Sequence, residues 1–301
     1  MTSPVPLDAQ PLVSVLIRSM DRPSLDNALA SVAAQTWGNI EVVVVNAKGV
    51  GHRALPSLCG RFPLRFIDSA TPRPRSEAAN VALDSAAGAF LLFLDDDDQI
   101  LPSHILNLAT ELQNNQIVIA AYTGTILYTN GEEVRKNENW DVIRLRTMNY
   151  LPIHSVLFRQ TAHRMDCVLG VMEDWDFWLQ LSLEAEFSRI LGYSAVYNMD
   201  QGTSGLSSQR NMDLVFDSHS KILEKWLPFF GMKLITRSIF NYEASIDFYK
   251  KETSLLSATI KTTQQSLETT QQLVGLMQSS RSWKITKPLR KIGSFAKKVF
   301  S

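Results

Sequence analysis

The chain has 301 residues, 45% hydrophobic and 20% charged, with 30 basic and 30 acidic side chains. That is an ordinary soluble composition able to bury a sizeable core, and no apolar run approaches the ~18 residues of a spanning helix. Two cysteines, Cys59 and Cys167, provide neither a disulfide framework nor metal-ligand spacing, so a reducing compartment is expected. Residues 1–10 lack the basic-then-apolar pattern of a secretory leader. The charge is unevenly placed: residues 281–301 carry seven basic residues and no acid, leaving 23 basic against 30 acidic in residues 1–280. An acidic body with a basic tail argues against a general nucleic-acid binder and gives the tail a local anionic partner.

In chain order, residues 12–17 read as a first strand, and Ser24 as the cap of a helix over 25–35 with Leu25, Ala28, Leu29 and Val32 on one face. Residues 40–45 form a nearly continuous β-branched run, the pattern of a strand buried on both faces. A short strand at 64–67 follows, then a helix over 76–87 capped by Gly88, then a strand at 89–94. Strands alternating with helices over about 100 residues predict a doubly wound, mainly parallel α/β sheet. Beyond it, 102–114 reads as a helix, 117–122 and 125–128 as two strands before an Asn130-Gly131 turn, and 155–158 as another strand. A helix over 175–185, short strands over 187–197 and a helix over 211–230 complete the body.

From about 243 the sequence turns rich in Thr, Ser and Gln. A heptad places Ile260, Leu267 and Val274 at one core position and Leu256, Thr263, Thr270 and Met277 at the other, a poor coiled coil read as a helical stalk. In the tail, Ile285, Leu289, Ile292, Phe295, Ala296, Val299 and Phe300 segregate from Lys287, Arg290, Lys291, Lys297 and Lys298. With Trp283 just before it, this suits a helix lying on an anionic membrane surface rather than one docked on its own protein.

The run from Phe90 to Asp98 carries the chemistry. A buried strand ends in four carboxylates, and strand alternation lets Asp95 and Asp97 converge. Like charges so close repel unless a cation sits between them, and a hard divalent ion suits oxygen ligands. The plainer reading is a solvated acidic turn. No phosphate-loop motif precedes the run, which argues against an ATPase.

Four ordered segments over residues 11–210 resemble the family 2 glycosyltransferases of the GT-A fold. They are residues 11–23 with 30–37, residues 41–46, Arg75–Asn80 with Gly88 to the Asp run, and 154–159 with 173–179. The tail around 280–290 is similar to one found on bacterial surface-polysaccharide transferases. The resemblance implies a metal-dependent, inverting transfer from a nucleotide-diphosphate sugar to a glycan or lipid-linked glycan acceptor. Asp97 and Asp95 match the DxD motif, with Mn2+ or Mg2+ as cofactor, and Asp98 matches the acid that follows it. Asp174 matches the catalytic base, at a position where acids are also simply favourable with the helix dipole. Ser19, Met20, Asp21, Asn46, Arg75, Asp95 and Asp96 are implied nucleotide-sugar contacts, and His154, Glu173 and Trp175 contacts to acceptor or diphosphate. Trp140 is a second candidate for stacking on a sugar.

Two departures stand out. Asn46-Ala47 replaces an Asp pair, and Arg18 stands where the family commonly has Pro. Residues 202–205, with Arg210, fall where the family often closes a loop over the donor. The implied organisation is a transferase domain over 1–230, with a nucleotide part at about 11–100 and an acceptor part at about 101–230. A stalk over 231–280 would support a homo-oligomer. A tail over 281–301 would hold the protein peripherally at the cytoplasmic membrane face. Competing expectations are a nucleotidyltransferase on a similar sheet and an inactive GT-A module binding a partner in a polysaccharide assembly complex.

Overall fold

The computed structural model describes residues 10–129, 131–198, 212–281 and 284. The chain divides into two compact units, Met1–Ile235 and Thr236–Ser301.

The first unit is built on a ten-stranded mixed sheet. Its strands are β1 (Val13–Ser19), β2 (Ile40–Asn46), β3 (Leu58–Cys59), β4 (Phe62–Ile67), β5 (Phe90–Asp95), β6 (Gln99–Ile100), β7 (Ala120–Thr129), β8 (Glu132–Lys136), β9 (Val156–Arg159) and β10 (Phe187–Asn198). They run β3-β4-β2-β1-β5-β9-β7-β10-β6, with β8 beside β7. The block β4-β2-β1-β5 is parallel, as is β7 with β10, while β9 lies antiparallel between β5 and β7.

Apolar strand sequences explain the parallel block. All seven residues of β1 are buried, and alternate side chains feed opposite layers. Val13, Val15 and Ile17 join Val42, Val44, Phe90 and Leu92 against α1 (Leu25–Ala33) and α3 (His104–Asn114). Leu16 joins Val43, Val45, Leu91 and Phe93 against α2 (Arg75–Ser85) and α5 (Glu173–Ser182). The sheet is thus covered on both faces, and its strand ends at β1, β2 and β5 open on one edge.

Several elements differ from the sequence reading. Ser24 makes no side-chain capping bond, because its own backbone is already helical. Gly88 does not cap α2, which ends at Ser85. It lies where a Cβ would meet the backbone N of Ser14 at 2.6 Å, and its N–H donates to Ser14 Oγ at 2.8 Å. The two strands expected at 117–122 and 125–128 are one strand, β7, continuous through Gly124 because pairing with β8 and β10 carries it across. The short strands of 187–197 likewise merge into β10, with irregular register between Ile190 and Ala195. A brief helix, α4 (Val142–Leu145), is capped by Asp141, whose side chain accepts from the N–H groups of Ile143 and Arg144.

Next comes α6 (Met212–Phe230), followed by α7 (Met232–Ser279). Gly231 breaks the chain between them at φ +73°, its N–H bonded to the Leu227 carbonyl at 2.9 Å. Asp176 of α5 anchors α6: its buried carboxylate accepts from Trp226 Nε1 at 2.8 Å and Lys225 Nζ at 2.9 Å.

In the second unit, α7 exposes every residue of described burial from 250 to 281, including the apolar heptad positions. The Thr259, Thr262, Thr263, Thr269 and Thr270 hydroxyls each donate to a carbonyl one turn back, so the threonines need no outside partner. The tail residues 285–301 and the segment 199–211, with its expected lid, lie outside the described residues. Among the described residues no helix is long and apolar enough to cross a membrane.

Candidate active site

β5 delivers the acidic run to the open edge of the sheet, where α/β folds bind ligands. A tight turn, Asp98 N–H to the Asp95 carbonyl at 3.1 Å, then breaks the alternation of the strand. Asp95, Asp97 and Asp98 each bring an oxygen within 4.8 Å of the others. Asp96 points the other way. It is fully buried, pairs with Arg22 and accepts from the Met20 N–H at 2.7 Å. It does not line the cavity beside the cluster, and it secures the β1–α1 loop.

That cavity encloses about 420 Å³. Asp95, Asp97, Asp98, Arg75, His154, Asp174, Asn149 and Tyr150 line it. Asp97 is the least compensated acid. Burial first, then the charges of Asp95 and Asp98, push its carboxyl up to about 6. Three clustered carboxylates that repel one another, with a cation between them relieving that repulsion, fit a hard divalent ion. Asp95 is more committed: both its oxygens accept from Arg18, at 2.9 and 2.8 Å. Asp98 is buried, accepts from the Asn198 N–H at 3.1 Å and lies 3.1 Å from His154 Nδ1. His154 is buried too. Desolvation disfavours its cation, but the Asp98 carboxylate outweighs this and raises its pKa.

Asp174 comes from the first turn of α5. Met172, immediately before this helix, adopts φ +64°, rare for a residue with a side chain. Asp174 Oδ1 accepts from the Trp175 N–H at 2.8 Å and Oδ2 from Asn149 Nδ2 at 2.9 Å. Burial and the neighbouring Glu173 charge push its carboxyl up to about 6, against the pull of Arg75 and Arg18. Glu173 behaves oppositely. Burial would raise its pKa, but Arg75 at 3.1 Å and Arg18 at 2.5 Å hold it below the usual carboxylate range.

The remaining expected residues are spread more widely. Met20 and Arg75 face the cavity; Ser19, Asp21, Asn46 and Trp175 do not. Ser19 is buried against His52, with Oγ and Nε2 2.8 Å apart. Asp21, at φ +58°, is held by Lys48 Nζ at 2.9 Å and the Arg53 N–H at 3.2 Å. The Asn46 amide is already occupied: it donates to Asp68 Oδ1 at 2.7 Å, beyond β4, and accepts from the Gly49 N–H at 2.9 Å. Ala47 and Arg73 face the cavity there instead. The Trp175 indole is buried and donates to the Leu145 carbonyl at 2.5 Å, and Trp140 stacks on Phe187 at 4.6 Å. Both rings pack within the protein rather than offering a face to a sugar.

Sequence reasoning missed the convergence of Asp98 with Asp95 and Asp97, and the parts of Arg18, Arg22 and Asn149. Arg18 carried a signal, a charge on a strand buried throughout. Asn149 carried none.

The Glycosyl transferase family 2 pattern matches residues 14–168. An uncharacterized glycosyltransferase of Bacillus subtilis, YwdF, is 24% identical over 226 residues, covering 69% of this chain and 84% of that protein. Among solved structures, S. aureus TarS 1–349 in complex with UDP-GlcNAc gives a TM-score of 0.54 at 16% identity, covering 72% of this chain and 73% of that one. A second S. aureus TarS 1–349 structure is covered over 65% of its length, at a TM-score of 0.54. The mannosyltransferase PcManGT from Pyrobaculum calidifontis, in complex with GDP-Man and Mn2+, gives 0.50 at 13% identity, covering 81% and 82%. These likenesses identify the GT-A fold. The family match spans more than half of the sequence, and the chain belongs to glycosyl transferase family 2: it is a glycosyltransferase.

Proposed function

We propose that the protein transfers a sugar, with inversion, from a nucleotide-diphosphate donor to a hydroxyl of a growing bacterial surface glycan. The observation that carries this is the pairing, around one cavity, of an acidic cluster suited to a divalent ion with a half-buried carboxylate of raised pKa.

Asp97 and Asp98 would hold Mn2+ or Mg2+, with Asp95 adjacent. When bound, such an ion supplies Lewis-acid neutralisation of a diphosphate leaving group. Arg75 adds a guanidinium suited to phosphate oxygens. Asp174 takes the proton of the acceptor hydroxyl as it attacks the anomeric carbon, and a carboxyl near 6 is ionised yet basic enough for that task at neutral pH. Asn149 fixes the carboxylate's rotation. Glu173, occupied by two arginines, stays ionised and is not the base. Met20, Ala47 and Arg73 form the wall nearest the end of β2 and contact the nucleobase.

The neighbours reported with UDP-GlcNAc and with GDP-Man support a nucleotide-sugar donor of this kind. The basic tail supports peripheral attachment at the cytoplasmic membrane face, and the exposed heptad of α7 supports a homo-oligomer.

A thermal-shift panel of UDP, GDP, CDP, ADP and dTDP, each with and without Mn2+, tests the donor site. A ligand bound only by the native state raises its stability by about 2.7 kcal/mol at a hundredfold excess over Kd. One nucleotide giving a manganese-dependent shift is expected. No shift with any of them contradicts the reading.

A further inference from the structure

Arg18 sits near the end of β1, is only 6% exposed, and faces the cavity. Its Nε and Nη2 donate to the two oxygens of Asp95 at 2.9 and 2.8 Å, while Nη1 donates to Glu173 Oε1 at 2.5 Å. Arg75, from α2, reaches the same two acids, Glu173 at 3.1 Å and Asp95 at 3.5 Å. Two arginines and two carboxylates form a charge-balanced quartet joining β1, β5, α2 and α5. Asp95 opens the acidic run and Glu173 directly precedes Asp174, so one guanidinium spans both halves of the site. Proline, which the family commonly has here, carries no donor and cannot make this bridge.

We propose that Arg18 is a positioning residue that ties the first turn of α5 to the acidic run of β5, fixing the Asp174 carboxylate in place and offsetting the charge of Glu173 beside it. This rests on the reading of Asp174 as base. The groups facing Asp174 are Glu173 on its own helix, Arg18 from β1, Arg75 from α2, the Asn149 amide, and Tyr197 from β10. Removing Arg18 leaves a buried Glu173 with one cation instead of two. Its charge then falls more heavily on Asp174, and the α5 turn loses a bridge of fixed geometry.

The experiment is a carboxyl 13C NMR titration of Asp174 in the full chain, its resonance assigned with D174N, in wild type, R18M, R18Q and R18M/E173Q. It needs no substrate. The wild-type midpoint is expected at about 6. In R18M it rises by about one pH unit, and E173Q added to R18M brings it back down. R18Q keeps hydrogen bonds without charge and gives the same rise, so the result stands even where R18M folds poorly. In parallel, hydrolysis of the accepted nucleotide sugar should lose about 10- to 100-fold in kcat with little change in donor KM. A midpoint that stays at its wild-type value in both single variants overturns the proposal, whatever happens to their melting temperatures. D174N keeps the two readings apart. Retained turnover in D174N sinks the base assignment, whereas an inactive D174N with an unmoved midpoint in R18M and R18Q sinks only the role of Arg18.

Discussion

Asp174 and Glu173 are neighbours on one helical turn, yet they occupy opposite charge environments. Two arginines stabilise the ionised form of Glu173, while Asp174 is half-buried beside that charge and holds its proton up to about 6. A base must be deprotonated to act, so kcat should be low well below pH 6, rise through about 6 and level off above it. A pH–rate profile checks this, and an acidic limb near 4, the ordinary aspartate range, would contradict it. Residue identity alone did not reveal this division. An Asp and a Glu side by side look equivalent in sequence, and the difference comes from Arg18 and Arg75, which reach Glu173 from 155 and 98 residues away.

At the scale of elements, α5 carries Asp174 on its cavity side and Asp176 on its buried side. Asp176 holds α6 through Trp226 and Lys225. Asp176→Ala leaves a buried indole N–H and an ammonium without this acceptor, and should cost about 3 kcal/mol in urea unfolding. A loss below 1 kcal/mol would mean that α6 is held by apolar packing alone. The strands of the parallel block were legible because short apolar runs, one of them largely β-branched, alternate with helical patterns. Ends and joins were less so. Gly88 looked like a helix stop, but its true constraint is the approach of Ser14, which no local pattern shows. The acidic run was legible as a site, yet strand alternation assigned Asp95 and Asp97 alone to the cluster. The turn after Asp95 broke that alternation, bringing in Asp98 and turning Asp96 inward.

At the scale of the whole molecule, the acceptor of a surface-glycan transferase is confined to a membrane, so a basic amphipathic tail would raise the local concentration of enzyme there. Deleting residues 281–301 should abolish co-sedimentation with vesicles containing phosphatidylglycerol while leaving the nucleotide-dependent thermal shift intact. Persistent vesicle binding would remove the tail as anchor. The tail's amphipathic pattern is legible in sequence, as is the heptad of α7. What either apolar pattern meets depends on a partner, and sequence periodicity describes only one side of such a contact.

The most direct measurement is donor binding and sugar transfer in parallel on Asp97→Asn and Asp174→Asn, each against wild type. Asp97→Asn should lose manganese-dependent nucleotide binding and, with it, transfer. Asp174→Asn should bind the nucleotide and metal as wild type does, yet lose transfer by at least about 100-fold, the lower end of what a positioned general base contributes. Near wild-type transfer in Asp174→Asn, or manganese-dependent binding unchanged in Asp97→Asn, would contradict this account of the site.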